Sequence, residues 1–135
     1  QEPEDLRFET WFIAWVRTAF QAKSNKQSIN SLMAWSQEIS KAGRETQKQF
    51  LDYSLRFFRQ AMLYNYGVKT LVLINLNDKS FKMENFAPFI GASNISEIYK
   101  EIELANYHIE RNGNAKIILT DLSIKLTRLL HLKSS

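Results

Sequence analysis

The stretch His108–Leu122 reads HIERNGNAKIILTDL and decides the fold, because two helix-like runs meet there at an Asn-Gly-Asn triplet. Gly and Asn enter the left-handed backbone region most readily, and helices commonly end in that conformation. The side chain of Asn114 can then cap a following helix. We therefore predict that Asn112, Gly113 and Asn114 form a structural turn between two antiparallel helices. We expect Gly113→Val to cost stability, because β-branched residues resist positive φ.

The two arms of this hairpin carry opposite charge. The first arm is rich in Glu, including Glu101 and Glu110, whereas the second carries Lys116, Lys125 and Arg128. Opposite charges on antiparallel neighbours favour their alignment, although an exposed pair contributes only about 0–1 kcal/mol. The charge pattern supports the hairpin prediction.

The rest of the chain repeats the helical pattern. Apolar residues recur every three or four positions, as in Phe8, Trp11, Trp15 and Ala19, which is typical of amphipathic helices. Only four Gly and two Pro in 135 residues favour long elements. The sequence predicts an all-α bundle of five to six helices, at about residues 5–22, 24–42, 43–67, 78–90, 94–111 and from 114 onward.

Several local signals set the expected ends of these helices. Residues 24–27 match a capping box for the second helix. Gly67 is expected to stop the third helix, and Asn94 to cap the fifth. Pro88 should move Ala87 away from helical geometry. Residues 70–75, TLVLIN, are strand-like but have no partner run, so we expect extended chain packed on helices.

Length and composition indicate one domain that does not need a disulfide or a bound metal to be stable. The 135 residues can bury a core of their own. The absence of cysteine excludes disulfides and thiolate ligands and fits a cytoplasmic protein. No apolar run reaches the roughly 18 residues that cross a bilayer, so no membrane partner is expected. Since the chain starts at Gln1 within an acidic stretch, we expect a fragment of a longer protein.

Catalytic constellations are missing from the sequence. His108 and His131 each lack a second histidine three or four residues away, so no metal pair is predicted. Glu101 and Glu103 are two residues apart on a helix and point to different faces. Serines occur in no nucleophile-elbow motif. We expect no enzyme activity, no metal and no cofactor for this domain.

The last helix carries apolar residues outside its main stripe. Ile117, Ile124 and Leu130 lie off that stripe, with Arg128 and His131 nearby. A helix that is apolar on two faces buries one against its own domain and the other against a partner, or else is central in the bundle. If the second face contacts a partner, these five residues form a subunit interface. If the helix is central in the bundle, the apolar residues among them lie in the core.

A basic series lies on the third helix. Arg44, Lys48, Arg56 and Arg59 occupy its predicted wet face, with Asp52 among them. Clustered positive charge can contact DNA phosphates, whereas solvated helix faces often look the same. The modest net charge of +4 permits nucleic-acid contact without indicating it. A nucleic-acid-binding helical domain is the alternative function.

Three segments, in this order and spacing, resemble one family. IERNGNAKIILTDLSIKLTRLL, residues 109–130, resembles the C-terminal hairpin of bacterial clamp-loader subunits. Residues 35–63, WSQEISKAGRETQKQFLDYSLRFFRQAML, and residues 86–90, FAPFI, resemble segments of the delta-prime type of subunit of DNA polymerase III. The resemblance runs from Leu6 to Leu132.

This resemblance implies a function in DNA replication by assembly. Clamp loaders are pentamers that use ATP to place a sliding clamp on primed DNA, and their helical C-terminal domains form a collar. Residues 1–135 would be one collar (oligomerisation) domain, lacking the N-terminal AAA+ domains. Its implied partners are gamma/tau-like and delta-like subunits, with the sliding clamp and primed DNA contacted indirectly. The chain has no phosphate-binding GxxxxGK[ST] loop, so no residue is assigned to ATP. We expect the isolated domain to be monomeric or weakly associating.

Overall fold

The computed structural model describes residues 2–22, 26–67 and 76–132 of the chain. Within these residues the regular structure is entirely helical, which confirms the predicted all-α bundle. The helices are α1 (Glu2–Gln21), α2 (Lys26–Ser40), α3 (Arg44–Asn65), α4 (Met83–Phe86), α5 (Ile95–Glu110) and α6 (Ala115–Leu130). A 3-10 helix, Ala87–Phe89, follows α4. The strand-like run 70–75 and Ser24 of the predicted capping box lie outside the described residues.

Aromatic side chains from α1 fill the centre of the bundle. Phe12 stacks on Phe57 of α3 at a centroid distance of 4.1 Å. Trp15 stacks on Trp35 of α2 at 4.8 Å, with the two rings nearly parallel. All four side chains are buried. Aromatic surface of this size supplies much of the hydrophobic stabilisation, since burial of each ring removes a large apolar area from water.

The indole nitrogens of this core have defined acceptors. Trp15 Nε1 donates to Ser123 Oγ of α6 at 2.8 Å, and Trp35 Nε1 donates to the carbonyl oxygen of Trp11 at 2.9 Å. Buried polar groups cost free energy unless they are hydrogen-bonded. These two bonds fix α1 against α6 and α2, so they set the position of the last helix.

The C-terminal hairpin closes the bundle. α6 packs on α1, α2 and α5, while α5 packs on α3 and α6. The buried face of α6 consists of Leu119, Leu122, Ser123, Leu126, Thr127, Leu129 and Leu130. α6 therefore has three helical neighbours on one side, and its opposite side faces solvent.

α3 ends where the sequence predicts. Its last residue is Asn65, and Gly67 follows with a φ of +80°. The amide of Gly67 donates to the carbonyl oxygen of Tyr64 at 3.1 Å. A positive φ is accessible to Gly without a steric penalty, so Gly67 acts as the predicted stop signal.

The helix predicted at residues 78–90 is much shorter in the structure. Asp78 Oδ1 accepts hydrogen bonds from the amide and hydroxyl of Ser80 at 2.9 and 2.5 Å. This local turn competes with a helix, and α4 begins only at Met83. The expectation for Ala87 is wrong, because it has helical angles (φ −57°, ψ −34°). Pro88 lies at the start of the 3-10 helix, where its missing N–H is tolerated.

Asn94 precedes α5 but does not cap it with its side chain. The buried amide instead accepts from the backbone N–H of Gly91 at 3.0 Å and donates to the carbonyl oxygens of Phe89 and Leu129 at 2.8 and 2.9 Å. Asn94 thus ties the 3-10 segment to the end of α6, and the predicted capping role is wrong. The described helices include none that combines the length and apolarity needed to cross a membrane.

Candidate interaction surface

The solvent-facing side of α6 carries a mixed apolar and charged row. Ile117, Asp121, Ile124 and Arg128 are all exposed, and their spacing of four, three and four residues places them on one helix face. Ile117 is 64% exposed and Ile124 is 46% exposed. We call these four residues the outer stripe. The structure therefore brings Ile117, Ile124 and Arg128 of the predicted interface together on one surface.

Leu130 does not belong to this surface. It is only 1% exposed and packs in the hydrophobic core. Thirteen residues separate it from Ile117, which at 100° per residue places the two side chains about 140° apart around the axis. The prediction of Leu130 as an interface residue is wrong, and the alternative, a core position, applies to it.

His131 lies at the edge of the outer stripe and is half-buried. Its Nδ1 is 2.7 Å from the carbonyl oxygen of Thr127, and its Nε2 is 3.1 Å from that of Phe20. The ring therefore joins the end of α6 to the end of α1. Its ring lines the surface and lies between these two carbonyl oxygens.

A groove lies between α2 and α6 beside the outer stripe. Its volume is about 430 Å³, and its lining residues are Ala22, Ile29, Ile124, Thr127, Arg128, His131 and Leu132. None of these residues is acidic. We call it the α2–α6 groove, and it can accept an apolar side chain with a negative group beside it, because Arg128 is the lining residue with a permanent positive charge.

The opposite flank of α6 has different chemistry. A cavity of about 290 Å³ between α5 and α6 is lined by apolar residues and by Glu101, His108, Asp121 and Lys125. Lys125 Nζ is 3.3 Å from Glu101 of α5, as the charge pattern of the two arms predicts, and 3.0 Å from Asp121 of its own helix. The hydrogen bond with Asp121, and a weaker one with Glu101, raises the pKa of Lys125 above its ordinary value.

The turn between α5 and α6 is held by backbone hydrogen bonds. The amide of Gly113 donates to the carbonyl oxygen of His108 at 2.9 Å, and that of Asn112 donates to Ile109 at 3.0 Å. This pair of bonds is a Schellman motif with Asn112 in the left-handed position (φ 66°). Asn114 Oδ1 then accepts from the amide of Ile117 at 3.1 Å and caps α6. The predicted structural role of the three residues is confirmed.

The expected reason for Gly113 is nevertheless wrong. Among the described residues, positive φ occurs at Gly67 and Asn112, and Gly113 does not share it. A Cβ on Gly113 would lie 2.7 Å from Ile118 Cδ1 and 2.9 Å from the carbonyl oxygen of His108. Gly113 is thus required by close packing of the turn against α6.

The basic series on α3 meets the hairpin. Arg44 donates a hydrogen bond to Asn112 Oδ1, and Lys48 Nζ pairs with Glu110 at 3.2 Å. Arg56 and Arg59 are exposed, and Arg59 lines an open groove with Glu103 between α3 and α5. Two of the four predicted DNA-facing cations therefore brace the end of the hairpin. That these residues contact DNA stays a prediction.

The buried carboxylate of Glu9 was not predicted from the sequence. Glu9 of α1 accepts hydrogen bonds from the amides of Asn77, at 3.0 and 3.1 Å, and Asp78, at 2.7 Å. The only sequence signal was an acid among aromatic residues on a helix. Within residues 2–22, 26–67 and 76–132, no group of three His, Asp or Glu side chains could hold a metal ion.

Comparison with known proteins finds no family model, no curated protein and no solved structure that matches this chain.

Proposed function

We propose that this chain is a subunit-assembly (collar) domain of a bacterial DNA polymerase III clamp loader, of the delta-prime type. Its activity would be to hold a subunit in the pentamer that loads the sliding clamp onto primed DNA. The resemblance of the three ordered segments supports this proposal. The observation that carries it is the outer stripe of α6, where two isoleucines stand exposed one heptad apart.

Exposed isoleucines at this spacing suit a helix-to-helix contact. Ile117 and Ile124 are two helical turns apart, so a partner helix can cover both at once. Apolar contact at the centre of such a surface stabilises association, with charged groups at its rim setting the register. Asp121 and Arg128 lie in the same row as the two isoleucines, so their charges can set this register.

The hairpin is also rigid enough to present this stripe. The Schellman motif holds its turn, Lys125 joins α5 to α6, and Lys48 joins α3 to Glu110. Pre-ordered surfaces bind with a smaller entropic cost than surfaces that fold on binding. The partners we propose are gamma/tau-like and delta-like subunits, and the domain itself performs no catalysis.

Co-purification tests the proposal. The chain is mixed with purified gamma-type and delta-type clamp-loader subunits from the same genome, and complex formation is measured by size-exclusion chromatography. We expect Ile117→Glu and Ile124→Glu to abolish the complex without loss of helical circular dichroism. Leu6→Glu is the matched control, because Leu6 is also 46% exposed but lies on α1. Normal assembly by the Ile117 and Ile124 variants would contradict the proposal.

The same preparation tests the nucleic-acid alternative. If the chain binds nucleic acid through its basic residues, its affinity for primed DNA should fall steeply with salt. The logarithm of the affinity should then fall linearly with the logarithm of the salt concentration. Arg56→Gln and Arg59→Gln would reduce that slope by about one unit each. Such binding without subunit assembly would favour the alternative function.

A further inference from the structure

The outer stripe continues past the end of α6 to Leu132. The amide of Leu132 donates to the carbonyl oxygen of Leu129 at 3.3 Å, so the last turn carries on beyond Leu130. Leu132 is 41% exposed and lines the α2–α6 groove together with Ile124 and Arg128. The surface row is therefore Ile117, Asp121, Ile124, Arg128, Leu132.

This row is complementary to itself when it is reversed. Read from either end it is apolar, charged, apolar, charged, apolar, and the two charges have opposite sign. We propose that two copies of this chain pair antiparallel through α6. Ile124 packs beside the two-fold axis, Asp121 faces the partner's Arg128, and Ile117 faces the partner's Leu132.

The antiparallel direction follows from the charges. A parallel arrangement would place Asp121 against the partner's Asp121 and Arg128 against the partner's Arg128, which is repulsive at both positions. The antiparallel arrangement converts both positions into opposite-charge pairs, Asp121 with the partner's Arg128 and Arg128 with the partner's Asp121, because a two-fold interface uses each contact reciprocally. Charge complementarity thus selects a second copy in one orientation.

The α2–α6 groove is the apolar site that receives Ile117 of the partner copy. None of the described residues that line it is acidic, and Arg128 lies at its wall. Ile117 of the partner copy presents an apolar side chain with a carboxylate four residues later, at Asp121, which matches an apolar groove beside a cation. The most exposed isoleucine of one copy therefore enters the groove of the other, and the same contact repeats across the axis.

This inference is independent of the clamp-loader proposal, since it concerns the chain by itself. The contact uses one helix from each copy, so it is a small interface of the weak and reversible kind. The paired copies also cover the outer stripe, which is the surface that contacts other subunits in the proposed function. Self-pairing and subunit assembly are therefore alternatives for the same surface, and each has its own assay.

Sedimentation velocity of the 135-residue chain over a concentration series tests the pairing. We expect a reversible dimer whose dissociation constant rises about tenfold or more in Asp121→Arg and in Arg128→Asp, because each variant opposes like charges at two positions. An equimolar mixture of these two variants should dimerise again, since each mixed pair restores both opposite-charge contacts. The chain carrying both substitutions should dimerise as well. High salt should reduce these differences.

Ile124→Glu, with Leu6→Glu as the equally exposed control, tests the axis contact. The first should leave a folded monomer and the second should leave the dimer unchanged. A chain that stays monomeric up to about millimolar concentration, the weakest association of interest, overturns the pairing. So does a dimer that is insensitive to the charge reversals, or a variant mixture that stays monomeric.

Discussion

Gly113 tests how tightly the hairpin turn is packed. A Cβ there meets a side-chain methyl at 2.7 Å and a backbone carbonyl oxygen, that of His108, at 2.9 Å. The methyl of Ile118 can move, but the carbonyl accepts the amide hydrogen bond of Gly113 itself and cannot move freely. We expect Gly113→Ala to lower the free energy of unfolding by about 1–3 kcal/mol in urea denaturation, and Gly113→Val to lower it further.

The matched control is Gly91→Ala. A Cβ on Gly91 meets nothing within 4 Å, and its φ is not in the left-handed region. The free energy of unfolding of Gly91→Ala should stay within about 0.5 kcal/mol of that of the parent chain. An equal loss at Gly91 and Gly113 would show that crowding at the turn is not the cause.

Ser123 holds the Trp15 indole in the core. Its hydroxyl accepts from Trp15 Nε1 at 2.8 Å and donates to the carbonyl oxygen of Leu119 at 2.7 Å. Ser123→Ala leaves a buried N–H without an acceptor, so we expect a loss of about 1–3 kcal/mol. Ser36→Ala is the control, because this equally buried hydroxyl donates to the carbonyl oxygen of Leu32 within its own helix, so the loss of stability should be smaller in the same denaturation assay.

Local chemistry was predictable from the sequence at this scale, and distant contacts were not. The Asn-Gly-Asn turn was predicted because its hydrogen bonds join residues a few positions apart. Trp15 and Ser123 are 108 positions apart, and nothing in either local pattern links them. The same is true of Asn94, whose amide reaches Leu129 across 35 positions.

At the scale of the element, helices with a strong apolar period were predicted to within a few residues. α3 was bounded by Gly43 and Gly67, and α5 and α6 by the turn between them. The short helix was predicted too long, because the Asp78–Ser80 turn competes with it. Leu130 lies outside the main apolar stripe in sequence, but its angle around the helix axis, about 140° from Ile117, turns it toward the core.

The contacts of Lys125 should weaken in alkali. The pKa of Lys125 in the folded chain is raised, chiefly by the hydrogen bond to Asp121 of the same helix and less by the one to Glu101 of α5. Its contribution to stability is therefore fully present below the unfolded pKa and is lost as the pH rises through the folded pKa. Burial raises the pKa of Tyr99, which adds a loss of the same sign. We expect the melting temperature to fall above about pH 10, and to fall less in Lys125→Met and Tyr99→Phe than in the parent chain.

A control substitution at a second lysine distinguishes the loss of the Lys125 contacts from a general effect of removing one positive charge. Lys116 is exposed and precedes Ile117 on the same helix. Lys116→Met removes one positive charge without touching the contacts of Lys125 with Glu101 and Asp121, so its alkaline profile should follow that of the parent chain. Identical profiles for Lys116→Met and Lys125→Met would contradict the stabilising role of these contacts.

For the molecule as a whole, the core accounts for the fold, and the surface carries the functional hypothesis. The buried face of α6 packs against three helices. Ile117 and Ile124 lie outside that face, and their side chains are exposed. The sequence presented two alternatives for these isoleucines, core or interface, because a central helix has the same pattern. Only packing could separate them, and it leaves both isoleucines exposed.

The contact between Glu9 and residues 77–78 joins the first helix to the middle of the chain. Two backbone amides share this buried carboxylate, and hydrogen bonds to a charged acceptor are the strong ones. In Glu9→Gln the negative charge and one acceptor oxygen are lost. We therefore expect hydrogen exchange at the amides of Asn77 and Asp78, followed by NMR, to accelerate about tenfold or more.

Arg17 provides the comparison, because it holds the same segment from the solvent side. Its guanidinium is 3.8 Å from Asp78 and 3.1 Å from Ser80 Oγ, and these contacts are exposed. Exposed pairs contribute little, so Arg17→Gln should change the exchange of the two amides much less than Glu9→Gln does. If the two variants accelerate exchange equally, the segment is held by surface charge, and burial of Glu9 is not what connects α1 to it.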